Sequence, residues 1–167
     1  MSARSRAAAE RRSRVAAAPA SGRSRLSSRQ IQGGLAVLGA LIAGYLSWIA
    51  LTNSEAFCAG LGQCDAVQSS SYARLLGVPV AVLGVATYLA VVGLLWLRGR
   101  GTRREAELAL LGQLVLVLVG TAFSAWLTYV ELFVIYAVCP WCVASAIVMA
   151  LLCVLTVRDL SLAGARG

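Results

Sequence analysis

The chain has 167 residues, of which 59% are hydrophobic and 13% charged, and its mean hydropathy is +0.79. Soluble domains run to about 45–50% apolar and about 25% charged, which excludes a soluble globular enzyme, a disordered protein and a disulfide-stapled miniprotein. The net charge of +8 comes from 15 basic residues, all arginine, but nucleic-acid binding would need a water-exposed basic surface, which a small polytopic membrane protein does not offer.

Residues 1–30 are rich in Arg, Ala and Ser, lack apolar periodicity and are predicted to be a disordered cytoplasmic tail. The pair Arg11 and Arg12 is not followed promptly by an apolar run, which argues against twin-arginine export. Four segments are then long and apolar enough to cross a bilayer as helices: 31–52, 78–97, 106–129 and 136–157. The first is longer than a signal-peptide core, and no small-x-small cleavage site follows it, so it is retained. The alternation of a β-barrel is missing. The fold class is therefore all-α: a four-transmembrane-helix bundle over residues 31–157 with an outward loop, and a short cytoplasmic tail at 158–167.

The arginines set the orientation. Eight precede the first span, four lie at 98–104 and two follow the fourth span, leaving Arg74 alone on the opposite side. The positive-inside rule then puts both termini and the 98–104 loop in the cytoplasm, with residues 53–77 and the turn at 131–133 facing outward. Beyond setting topology, these arginines are expected to touch lipid headgroups.

That topology sorts the five cysteines. Cys58 and Cys64 fall in the first outward loop, and Cys139-Pro140-Trp141-Cys142 heads the fourth span, so four share the oxidising side. Zinc fits poorly: five residues separate Cys58 from Cys64, the chain has no histidine, and no metal site is expected. Two chemistries remain open, static disulfides in a membrane scaffold and a thiol–disulfide relay. The Cys-x-x-Cys spacing favours the relay, because its small ring opens and closes reversibly. A helix start near Cys139 would favour the thiolate, and Pro140 suits the first helical turn. Cys58 and Cys64 lie beside Gly60 and Gly62, in a loop able to reach a soluble protein. Cys139 and Cys142 lie against the bundle, where a lipid-soluble acceptor such as a membrane quinone could arrive.

These residues together resemble the bacterial homologues of vitamin K epoxide reductase. The resemblance rests on Cys58 and Cys64, the following Asp65-Ala66-Val67-Gln68-Ser69-Ser70-Ser71-Tyr72, Gly77-Val78-Pro79, Gly84 and Tyr88, and Cys139-Pro140-Trp141-Cys142. It implies a four-helix bundle in the bacterial cytoplasmic membrane that holds a quinone, menaquinone or ubiquinone, near Cys142. Cys58 and Cys64 would take electrons from a periplasmic thioredoxin-like protein, and Cys139 and Cys142 would pass them to the quinone. A Cys64–Cys139 disulfide is the implied intermediate. Ser70 would support the site through hydrogen bonding, and residues 63–71 would form a half-helix over the pocket. The animal enzymes carry a pocket asparagine and tyrosine where this chain has Val80 and Ala146. That departure favours disulfide-bond formation over epoxide reduction. Because the chain ends at Gly167, the redox partner is expected to be a separate protein, and the enzyme a monomer.

Other residues carry simpler expectations. Cys153, among leucines and valines, reads as a packed apolar side chain. Glycines such as Gly34, Gly39, Gly44, Gly84, Gly93, Gly112 and Gly120 read as helix-packing positions. Glu131 reads as a solvated residue at the membrane interface. Trp141 suits either an interfacial anchor or a wall of the quinone pocket, and Tyr88, Trp126 and Tyr129 are further candidates to line it. Phe57 and Leu61 are expected to cap the loop cysteines.

Overall fold

The computed structural model describes residues 27–52, 54, 57–58 and 63–164. Residues 1–26, Gly60, Leu61, Gly62 and residues 165–167, which figure in the expectations above, lie outside them. The elements run α1 (Ser28–Thr52), a short α2 (Cys64–Gln68), a 3₁₀ turn (Ser71–Ala73), and a hairpin of β1 (Arg74–Leu75) and β2 (Val78–Pro79). Then come α3 (Val80–Arg100), α4 (Arg103–Val130), a π-turn (Glu131–Ile135) and α5 (Pro140–Gly164).

Four helices are long and apolar enough to cross a membrane. At 1.5 Å per residue the 21 residues of α3 rise about 31 Å, the thickness of the hydrocarbon layer. The helices pack in a ring, α1 on α3, α3 on α4, α4 on α5 and α5 back on α1. Apolar surface gains nothing by leaving lipid for protein, so close packing must hold the spans together. On the α1–α3 face a Cβ added at Gly84 would sit 3.4 Å from the Ala43 Cβ, and one at Gly39 would run into the Tyr88 ring. A Cβ at Gly120 would meet Met149 Sδ at 3.0 Å. Gly34, Gly44 and Gly93, by contrast, face open space. The core gathers Ala36, Ala43, Tyr88, Val91, Val117 and Leu152, with half-buried Cys153 packed against it.

Local chemistry sets several boundaries that differ from the sequence expectation. The second span begins at Val80, because Val78 and Pro79 pair with Leu75 and Arg74 across a two-residue turn. That turn needs positive φ at both positions: Gly77 adopts 85° readily, and fully exposed Leu76 adopts 52° against its steric preference. Thr102 and Glu105 form a capping box that starts α4, with the Glu105 N–H donating to Thr102 Oγ1 and the Thr102 N–H to Glu105 Oε2. The fourth span starts at Pro140 rather than at 136, since Tyr136 takes a left-handed φ of 54° that ends the π-turn. It then continues through Arg158 and Asp159 to Gly164, so much of the stretch read as a tail is helix.

Six polar side chains join all four spans at the end carrying Arg98, Arg100, Arg103 and Arg104. Arg98 donates to Gln113 Oε1 at 2.9 Å and to Asp159 Oδ2 at 2.8 Å. Gln113 donates to Gln32 Oε1 and to Thr156 Oγ1, at 2.6 and 2.8 Å. Ser28 and Gln32 both donate to the Asp159 carboxylate.

Candidate functional site

The opposite end of the bundle carries the cysteines. α2 begins at Cys64 and places Asp65 in its first turn, where an acidic side chain complements the helix dipole. The half-helix is shorter than the predicted 63–71: Ser69 Oγ donates back to Asp65 O at 2.7 Å, and the chain turns. Ser70 Oγ donates to Val67 O at 2.7 Å, fixing the exit from α2 over the bundle.

Cys58 and Cys64 are joined by a disulfide, with 6.4 Å between their Cα atoms. Cys139 and Cys142 are free thiols. All four belong to one packed cluster, in which Cys64, Val67, Ala137 and Cys139 are buried and Cys58, Ile135, Trp141 and Cys142 pack around them. Cys139 is fully buried, Cys64 nearly so, and Cys58 half-exposed. The Gln63 N–H donates to Val138 O at 3.2 Å, which ties the loop to the strand of chain entering Cys139.

Trp141 performs a second tie. Its indole Nε1–H donates to Phe57 O at 3.0 Å, and its ring lies 5.2 Å from that of Tyr45. Tyr45 Oη in turn accepts the Phe57 N–H at 3.0 Å. Both backbone polar groups of Phe57, the residue before Cys58, are thus held by aromatic side chains of the bundle. The Phe57 ring itself is 73% exposed.

Beneath the loop lies a cavity of about 270 Å³ between α3, α4 and α5, with a mainly apolar lining. Of the residues predicted to contact a quinone, Val80, Tyr88, Ala146 and Cys142 line it, and so does the supporting residue Ser70. Trp141, Trp126 and Tyr129 are not among the lining residues. Tyr88 Oη donates to Ser145 O at 2.8 Å, which spares a buried hydroxyl from lying unpaired and sets the ring against the cavity.

Glu131 is the residue for which the structure corrects the sequence reading. It is not solvated at the interface but 4% exposed, and it lines the cavity. The π-turn folds residues 131–135 back under Cys139, and Glu131 Oε2 accepts the Cys139 N–H at 3.1 Å. Cys142 lines the same cavity and packs against Cys139, so the carboxylate and the Cys142 thiol flank one residue. A lone carboxylate eight residues before Cys139, within an apolar run, was the available signal.

The electrostatics of the pair are asymmetric. The hydrogen bond from the Cys142 thiol holds the Cys139 thiol below its ordinary value, against burial and the nearby Glu131 charge. The backbone N–H of Cys142 adds to this, donating to Cys139 Sγ at 3.4 Å from the first turn of α5. Cys139 is therefore the readier thiolate, while Cys142 is the sulfur that reaches the cavity.

Residues 31–157 match the model of the Vitamin K epoxide reductase family. The chain is also similar to the thiol-disulfide oxidoreductase LTO1 of Arabidopsis thaliana, with 30% identity over 125 residues. That match covers 71% of this chain and 33% of the plant protein, so the chain spans about a third of the relative's length.

Proposed function

Since this chain belongs to the vitamin K epoxide reductase family, we propose that it is a quinone-dependent thiol oxidoreductase that reoxidises a thioredoxin-like protein and so supports disulfide-bond formation. The observation that carries this reading is the single cluster of two cysteine pairs, one bonded and one free, whose innermost member opens onto an apolar cavity.

In this scheme a thiolate of the partner attacks the Cys58–Cys64 disulfide. Half-exposed Cys58 takes the mixed disulfide, and the partner's second thiol resolves it, leaving Cys58 and Cys64 reduced. Cys64, buried beside Cys139, then attacks the Cys139–Cys142 disulfide at Cys139 and releases Cys142. Cys58 resolves the Cys64–Cys139 bond. The pairing in the structure, with Cys58–Cys64 bonded and Cys139 and Cys142 free, matches the stage at which electrons have reached the inner pair.

The cavity fits a quinone head group. Its lining is mainly apolar, with Cys142, Ser145 and Glu131 among its polar groups. Val80, Tyr88 and Ala146 would hold the ring and Cys142 would face it; when bound, a quinone supplies two-electron acceptance. Val80 and Ala146 offer no side-chain donor, which supports a quinone over an epoxide as the molecule accepted. The arginine-rich end is assigned to the cytoplasm and the cysteine end to the outer face of a bacterial cytoplasmic membrane, on the distribution of the arginines. The enzyme is taken to be a monomer.

The test is oxidation of a reduced thioredoxin-like protein by the membrane-embedded chain with a soluble quinone. Turnover is expected for the wild type and its loss for Cys142→Ala. Unchanged turnover in that variant overturns the proposal, as would two fixed disulfides that never form a mixed disulfide with a thiol protein.

A further inference from the structure

Glu131 takes no part in the relay just described, yet its carboxylate lies against the sulfurs that end it. We propose that Glu131 is the proton acceptor for the Cys142 thiol, drawing off the Sγ–H proton as Cys142 gives up electrons and delivering it to the acceptor in the cavity. This rests on the quinone reading above.

Three features of the geometry carry it. Glu131 is buried yet opens onto the same cavity as Cys142, so a proton on it has a path to whatever Cys142 reduces. Its Oε2 is held by the Cys139 N–H at 3.1 Å, which fixes the carboxylate beside the pair. The Cys142 N–H donates to Cys139 Sγ at 3.4 Å, so the Cys142 thiol and the Glu131 carboxylate flank the same residue at the cavity wall, the proximity a proton transfer needs. A capping role alone does not explain the choice of residue. Glutamine would accept the Cys139 N–H equally well, without the cost of a carboxylate near a membrane-spanning segment.

The step balances. Cys139 and Cys142 lose two protons and two electrons as their disulfide forms, and both protons and both electrons end on the quinone, giving the quinol. One proton passes through Glu131 and the other leaves Cys139. Glu131 is restored to its starting form when its proton is delivered.

The experiment uses the full chain in lipid nanodiscs, reduced with dithiothreitol and freed of excess. It is mixed with a short-tailed quinone, and quinone absorbance is followed through a single turnover. Glu131→Gln keeps the N–H acceptor but cannot take the proton, and is expected to slow this step by about a hundredfold. Exchange of the Cys58–Cys64 disulfide with a reduced thioredoxin-like protein should keep its wild-type rate. Glu131→Ala should recover quinone reduction when formate is added, which a purely structural loss would not. Wild-type speed in Glu131→Gln overturns the inference. Equal slowing of both steps with no formate recovery in Glu131→Ala overturns it as well. A wild-type protein inert toward quinone removes the quinone reading itself and this inference with it, an outcome distinct from wild-type activity that survives in Glu131→Gln.

Discussion

At the arginine-rich end of the bundle, Ser28, Gln32, Arg98, Gln113, Thr156 and Asp159 close a hydrogen-bonded network that touches all four spans. At the cysteine end, polar groups border a cavity and a pair of thiols, and Cys139 sits between the Glu131 carboxylate and the Cys142 N–H. The first arrangement leaves each participant matched; among the described residues no buried side-chain nitrogen or oxygen lacks a partner. The second contains bonds made to be exchanged. Breaking a matched network in a low-dielectric interior exposes several unpaired groups at once, so that end resists change. Sulfurs trade partners through thiolates and disulfides at little cost to packing, and among the described residues the loop that carries two of them is tied to the bundle at Phe57 and Gln63. The molecule thus separates its clamp from its chemistry along the length of the same four helices.

Three substitutions probe this separation. The largest effect on stability is expected from Asp159→Ala, which removes the carboxylate that pairs with Arg98 and accepts from Ser28 and Gln32. The cost is about 3 kcal/mol, read as a lower thermal midpoint in detergent, while single-turnover thiol exchange at the far end stays near wild type. Equal loss of both would show that the two ends are one cooperative unit. Gly39→Ala should break the separation from the middle. The new Cβ runs into the Tyr88 ring, and overpacking of this kind costs about 1–3 kcal/mol. Because Tyr88 also walls the cavity, acceptor reduction should slow along with the loss of stability. The smallest stability change belongs to Trp141→Phe, which removes the donor to Phe57 O at about 1 kcal/mol or less. Its effect should appear mainly in kinetics: a few-fold slower transfer between the loop pair and the inner pair, measured by rapid-quench alkylation, with a thermal midpoint lowered by no more than about 4 °C.

Much of this was legible in the residues. Four apolar runs of spanning length, the arginine distribution and the Cys139-Pro140-Trp141-Cys142 motif each report on the environment of a single segment, and their order along the chain implies the bundle. The Cys58 and Cys64 loop and the start of the inner pair at a helix N-terminus could be anticipated in the same way, whereas the half-helix was implied only by the family resemblance. Span boundaries were less legible. Val78 and Pro79 look as apolar as the helix they precede, and only the pairing with Arg74 and Leu75 makes them strand. Tyr136 resembles the residues around it until its left-handed backbone ends the turn before Cys139.

Trp141 and Glu131 show where local pattern stops informing. Both suited an interfacial position by composition alone. The indole also fastens the redox loop, and the carboxylate is folded inward against Cys139. The polar residues at 32, 98, 113, 156 and 159 were likewise scattered through four segments, and none carries information about the others. Sequence by itself determined the helical spans, the partition of charge and cysteines, and the redox motif, because hydrophobicity and short-range spacing act within one segment. Tertiary structure alone decided which polar groups meet, since a hydrogen bond between residues 81 or 127 positions apart depends on how the helices are turned toward one another.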